Sequence, residues 1–181
     1  EPQRLDEGRQ VAEAHARGLE LHAYLNVLTA WRGQKYPPFE SGQLWWAHPD
    51  WFMCDAAGNR MVARDHRHGE YTDWYTFLSP GHPEVRRHLI ALATELVTNY
   101  ELDGLHLDYI RYPAEIREVA EGFRDRSRAL GNWSYDAASL ARFTKETGHA
   151  GPEADPAAWS AWRAAQVTEL VRGMCEAART V

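Results

Sequence analysis

Apolar and polar side chains alternate at two different periods along this chain, and the changes of period mark its elements. Between residues 5 and 17, Leu5, Val11, Ala12 and His15 recur at roughly helical spacing, with Gly18 just past the end, so a helix is expected there. The next stretch alternates. Leu19, Leu21, Ala23, Leu25 and Val27 fall on one side and Glu20, His22, Tyr24 and Asn26 on the other, the pattern of a strand over 19–27. A second alternating stretch spans 103–113, opened by an Asp103-Gly104 turn and closed by Pro113. Leu105, Leu107 and Tyr109 share one of its faces; His106, Asp108 and Ile110 share the other. Before it, Val85, Leu89, Leu92, Ala93, Leu96, Val97 and Tyr100 form a stripe at 3.6-residue spacing behind Pro83, which predicts a helix. After Pro113 the pattern suggests a polar helix over 114–129 and an Asp136-capped helix over 137–147 ending at Gly148. A link at 149–156 leads to a last helix over 157–179, with Val167, Leu170, Val171, Met174 and Ala178 on one face.

Helix, strand, long loop, helix, strand, long loop, helix is the order of an α/β protein with parallel strands. The expected fold is a portion of a (β/α)8 TIM barrel: about two parallel strands with their helices and long βα loops. A closed barrel takes eight strands in roughly 250 residues. Residues 1–181 are therefore expected to form part of a single catalytic domain, truncated at both ends. The alternatives are a small α/β domain complete in itself and, for 19–27, an antiparallel strand with its polar face in water. Residues 28–80 carry little readable periodicity; we expect a functional βα loop with short strands at 51–54 and 74–78.

Composition narrows the class. The chain is 44% hydrophobic and 25% charged with a net charge of −6, which argues against nucleic acid or an anionic membrane as partner. No apolar run reaches the length of a membrane span, and residues 1–20 lack a signal-peptide core, which leaves the compartment open. Cys54 and Cys175 read as free thiols rather than a framework. The unusual numbers are eight Trp and eight Tyr, many of them within 28–80. Aromatic faces suit the C–H faces of sugar rings, and equally well form a small core for a long loop.

The leading chemical candidate is Asp108, a carboxylate near the C-terminal end of a strand, where barrel enzymes keep their chemistry. It can serve as nucleophile, as general acid or base, or as a stabiliser of positive charge at an anomeric carbon. The competing reading is a structural ion pair with Arg111. Asp103 precedes the strand and reads as a turn residue. Candidate substrate-binding residues are Asn26 at the same rim, His22, Tyr24 and His106 on the polar faces, Trp31 and Arg32 opening the aromatic loop, and Arg111 and Tyr112 after the second strand. His106-x-Asp108 and Asp65-His66-x-His68 also have metal-ligand spacing, so a metal-dependent hydrolase is one alternative and a non-catalytic carbohydrate-binding module another. No cofactor is expected: the chain has no glycine-rich phosphate loop, no Gly-x-Ser-x-Gly elbow and no Cys–His pairing of catalytic type.

The stretch from Asp103 to Pro113 resembles the signature strand of the bacterial glycosyl hydrolase-like 10 family. His22-Ala23-Tyr24-Leu25-Asn26 is similar to that family's preceding strand, and Ser79-Pro80-Gly81-His82-Pro83-Glu84-Val85-Arg86 to its Asn-Pro-Gly-His-Pro-Glu-Val-Arg segment. Tyr135-Asp136, Phe143, Thr147-Gly148, Trp162-Arg163 and Gln166-Val167 resemble its later helices. Ser79 and Val27 depart from the family's usual Asn and Pro. The resemblance implies a (β/α)8 barrel of which this chain covers the third and fourth strands, with the rest of the barrel supplied by other sequence. It also implies action on bacterial cell-wall glycan outside the cytoplasm. Asp108 would then be one of two catalytic carboxylates, flanked by Asn26, His106 and Arg111, with the second on a later strand.

Overall fold

The computed structural model describes residues 2–32, 37, 39, 43–61, 75–113 and 133–179. The helix expected at 114–129, the loop residues Asp65, His66 and His68, and Trp74 lie outside the described residues.

The first helix, α1 (Pro2–His15), leads into β1 (His22–Asn26), which is shorter than the alternation suggested. Its partner is β4 (Gly104–Asp108), reached through α3 (Pro83–Asn99). The two strands run parallel, with His22 opposite Gly104, Tyr24 opposite His106 and Asn26 opposite Asp108. Partners in a parallel pair share a face, so the polar positions of both strands line up, and the antiparallel alternative for β1 is excluded. On the other face, Leu25, Leu105 and Leu107 pack on the main core with Val27, Leu28, Phe77, Leu78, Val85 and Leu89. Gly104 is required by this register. A Cβ there would come within 2.7 Å of the His22 ring.

The long loop is more ordered than its sequence suggests. Within 28–80 lie β2 (Thr29–Arg32), the short helix α2 (Leu44–Ala47), a 3-10 turn (Pro49–Trp51) and β3 (Tyr75–Phe77). β2 and β3 pair antiparallel, Thr29 opposite Phe77 and Arg32 opposite Tyr75. The strand expected at 51–54 is instead the end of the 3-10 turn followed by single bridges at Phe52 and Cys54. β2 went unseen because its four residues, Thr-Ala-Trp-Arg, are too few to show a period. The aromatic set divides. Trp45, Trp51, Trp133, Trp159 and Trp162 are buried, whereas Trp46 and Phe39 are exposed and meet edge to face at 5.7 Å.

Two further helices complete the layer, α4 (Ala137–Thr147) and α5 (Pro156–Arg179). Asp136 caps α4 through Ser139 N at 3.0 Å, and Gly148 ends it at φ 78, where glycine adopts the left-handed conformation without strain. Phe143, Trp159 and Trp162 form a second cluster between these helices. The α5 helix packs along α3.

At the opposite end of the strands from Asp108, Asp103 ties α1 to the sheet. Its Oδ2 accepts from Leu21 N at 2.7 Å and lies 2.9 Å from His15 Nε2. Those bonds hold its carboxyl below the usual carboxylate range, the Leu21 amide first and His15 second. A depressed carboxylate contributes stability above the unfolded pKa and loses it as pH falls through the folded one. Asp103→Ala is accordingly expected to lower the melting temperature at pH 7. Melting curves recorded down to pH 3 should show the gap to wild type narrowing as the carboxylate protonates.

Candidate active site

The polar face shared by β1 and β4 carries His22, Tyr24 and Asn26 beside His106 and Asp108. Strand parity places them there, because aliphatic residues occupy the alternate positions that feed the core. His22, Tyr24, Asn26 and His106 are all exposed, and Asp108 is half-buried. Tyr24 remains 62% exposed despite its bond to Asp108, so this is an open face rather than a filled layer.

Asp108 ends β4 at its C-terminal edge. Its own backbone carbonyl accepts from Val27 N at 2.8 Å, which locks the strand end against β1. The Tyr24 hydroxyl donates to Asp108 Oδ2 across the strand pair, and the Tyr24 ring stacks on His106 at 4.8 Å and 10°. Tyr24, the Tyr109 amide, His106 and Arg111 all favour the ionised form of Asp108, Tyr24 most of all, and its pKa lies below the ordinary value. The same bond, formed with an anion, pushes the Tyr24 phenol up to about 12. An arrangement of this kind supplies a carboxylate that is ionised at neutral pH and held in one orientation. Such a group acts as nucleophile or base; it does not deliver a proton.

The chain turns abruptly past Asp108. Tyr109 sits at φ 50, a left-handed conformation uncommon for an aromatic residue. Its ring lies 4.8 Å from Tyr75 and 6.1 Å from Phe77, with the Arg111 guanidinium 5.1 Å over it. This packing holds the turn that aims the Tyr109 amide at Asp108. No sequence signal marks Tyr109 as strained.

The other predicted residues separate into those at this face and those away from it. Asn26 is at the rim beside Asp108. His22 lies two pairs further down, 3.2 Å from Glu20 Oε2, and does not reach Asp108. Arg111 is exposed and makes no ion pair with Asp108; its Nη1 reaches the Tyr112 carbonyl at 3.4 Å. Tyr112 turns inward: it is 7% exposed, and its hydroxyl donates to the Arg163 carbonyl at 3.4 Å. Trp31 is half-buried on β2, opposite Thr76, and Arg32 ends that strand. Among the described residues no three His, Cys, Asp or Glu side chains gather as a metal site.

The fold is thus a portion of a (β/α) barrel, with Asp108 at the C-terminal end of one of its paired parallel strands. This likeness extends to a solved structure, alpha-L-fucosidase isoenzyme 2 from Paenibacillus thiaminolyticus, which superimposes with a TM-score of 0.61 at 17% identity over 96% of this chain and 21% of the fucosidase. The chain belongs to the glycosyl hydrolase-like 10 family, whose sequence profile matches residues 6–181. Among curated relatives it is 29% identical over 136 residues to the 1,4-alpha-glucan branching enzyme GlgB of Corynebacterium efficiens, covering 71% of this chain and 15% of that protein. A branching enzyme GlgB 2 of Xanthomonas campestris is 36% identical over 70 residues, 38% of this chain and 8% of the enzyme. Glycosyl hydrolase YngK of Bacillus subtilis is 26% identical over 124 residues, 65% of this chain and 20% of YngK. The chain therefore spans a fifth or less of the length of these relatives.

Proposed function

We propose that this chain is the part of a glycoside hydrolase that carries one of its two catalytic carboxylates, Asp108, and that the substrate is a polysaccharide such as bacterial cell-wall glycan. The observation that carries the reading is the Tyr24–Asp108 bond at the C-terminal edge of paired parallel strands. It supplies an oriented, ionised carboxylate on an open face beside the polar amide of Asn26. Family membership supports a carbohydrate substrate in general terms.

In this reading Asp108 is the anionic member of the pair. It either attacks the anomeric carbon or draws a proton from the attacking water, while a second carboxylic acid protonates the departing oxygen. That acid would come from sequence outside residues 1–181, about 5 Å away for retention or roughly 6.5–9.5 Å for inversion. Asn26 offers a donor and an acceptor to a sugar hydroxyl, and His106 keeps the Tyr24 ring in line. The direct test is release of reducing ends from purified glycan strands by the intact protein and by its Asp108→Asn variant.

A subtler variant isolates the role of Tyr24. Removing its hydroxyl takes away the strongest support for the Asp108 anion, so the Asp108 pKa rises. Tyr24→Phe should move the acidic limb of the kcat/KM profile to higher pH while leaving KM at neutral pH nearly unchanged. An unmoved limb with a raised KM would make Tyr24 a substrate contact only.

A further inference from the structure

The strained turn after Asp108 is held from outside its own segment. Tyr109 sits at φ 50, and an aromatic residue enters the left-handed region only where its surroundings outweigh the strain. Rotation about that N–Cα bond sets the plane of the Asp108–Tyr109 peptide, whose N–H bonds to the Asp108 carboxylate and favours its ionised form. Were φ to relax to a common negative value with the onward chain held in place, the peptide would turn and its N–H would leave the carboxylate. Whatever fixes the Tyr109 ring therefore also fixes a hydrogen bond that supports the anion.

That support comes from β3, a strand of the aromatic loop. Tyr75 and Phe77 stand at alternate positions of β3, so strand parity turns both rings to one face. The Tyr109 ring lies against both, 4.8 Å from Tyr75 at 45° and 6.1 Å from Phe77 at 52°, where aromatic pairs attract. The contacts differ in kind. Phe77 belongs to the main core, whereas Tyr75 and Tyr109 are half-buried at its edge. Tyr75 is also the nearer ring, and its backbone is fixed opposite Arg32 of β2. The Arg111 guanidinium covers the Tyr109 ring at 5.1 Å, but it is exposed, where a cation over a ring contributes less. Tyr75 shares the corner of the Tyr24–Asp108 bond: both Tyr75 and Tyr109 are close enough to the Tyr24 phenol to disfavour its ionisation.

We propose that Tyr75 is a positioning residue for Asp108 and acts through Tyr109: its ring keeps Tyr109 left-handed, and that conformation points the Tyr109 amide at the carboxylate. The antiparallel β2–β3 pair thereby orients a carboxylate that belongs to the separate β1–β4 sheet. As a role in catalysis this rests on the glycosidase reading; the link from Tyr75 to Asp108 does not, and it is tested without turnover.

The test follows the aspartate carboxyl carbons by NMR in the intact, isotopically labelled protein, with the Asp108 resonance assigned by its loss in Asp108→Asn. Tyr75→Ala should move the Asp108 titration to higher pH, because the carboxylate loses an amide that favours its charge. Tyr75→Phe keeps the ring and should titrate with wild type. Tyr109→Gly supplies the discriminating background. Glycine takes a positive φ without support, so adding Tyr75→Ala to it should shift the midpoint no further. Should Tyr75→Ala fail to fold, Tyr75→Leu fills the space without a ring plane and replaces it in both backgrounds. In turnover, kcat of Tyr75→Ala at neutral pH should fall roughly 10-fold or more, the cost of a misplaced reacting group. A wild type that cleaves no glycan would remove the glycosidase reading, and the titrations would still decide the link. An Asp108 midpoint unmoved in Tyr75→Ala, or in the Leu variant that replaces it, would overturn the proposal. So would a shift of full size in the Tyr109→Gly background, which would make Tyr75 act on Asp108 directly. A shift in Tyr75→Phe equal to that in Tyr75→Ala would assign the effect to the hydroxyl and overturn it too.

Discussion

Replacement of Asp108 by Asn is expected to reduce kcat/KM for glycan cleavage by on the order of 10²–10⁴-fold or more, with little change in stability. Asparagine preserves the shape of the side chain and can still accept the Tyr24 hydroxyl through its amide oxygen. It cannot bear the charge that attacks the anomeric carbon or takes a proton from water. The effect belongs in kcat rather than KM, because the negative charge acts most strongly as the anomeric centre becomes cationic. Melting temperature checks the second half of the expectation. The strand end is held by the backbone bond from Val27 N to the Asp108 carbonyl, which the substitution leaves intact, so any loss is confined to the side-chain bonds from Tyr24 and the Tyr109 amide that favour the ionised form. A large drop in melting temperature would make Asp108 a structural residue instead.

Asp136→Ala should have the largest effect on folding, about 2–4 kcal/mol. Asp136 is 3% exposed and joins two segments distant in sequence: its oxygens accept from Ser79 Oγ and from Ser139 N. Loss of an N-cap costs roughly 0.5–2 kcal/mol, and a buried hydroxyl left unpaired about 1–3 kcal/mol more. Ser79 and Ser139 also meet at 3.1 Å, and Gly81 beside them is packed so closely on Ser139 that a Cβ there would clash. Denaturant unfolding gives the value directly. Burial pushes the Asp136 carboxyl up despite the bonds from Ser79 and Ser139. With a raised folded pKa, its contribution is full below the unfolded value and weakens as pH rises through the folded one. Asp136→Asn, which keeps a cap acceptor, should cost less than Asp136→Ala, and because neither variant titrates there, both penalties should shrink together as pH rises through the folded pKa.

Much of this arrangement can be read from side-chain periodicity, and the exceptions have physical causes. The alternation at His22–Asn26 and Gly104–Asp108 encodes parity, and parity alone sets Asp108 and Asn26 on one face with Leu105 and Leu107 on the other. The α3 stripe and the Asp136 cap are equally legible, since both are local. Partner choice is not local. Nothing in the pattern distinguishes the Tyr24 hydroxyl as a donor to Asp108 from a sugar contact, because the bond depends on inter-strand register. The Tyr112–Arg163 contact is equally non-local: the sequence offers Tyr112 as a candidate substrate contact after the strand and Arg163 as part of a later helix, and only the fold stacks one on the other. The short pair β2–β3 has too few residues for a period, and its order comes from the core beneath it.

The ionised role assigned to Asp108 is tested most directly by chemical rescue of an Asp108→Gly variant. Removing the carboxylate leaves space at the end of β4 for a small external anion. Azide or formate should restore glycan cleavage in Asp108→Gly in a concentration-dependent way, and azide should appear bonded to the anomeric carbon of the product. Cleavage by Asp108→Gly at the wild-type rate without added anion would contradict the account and remove Asp108 from the chemistry.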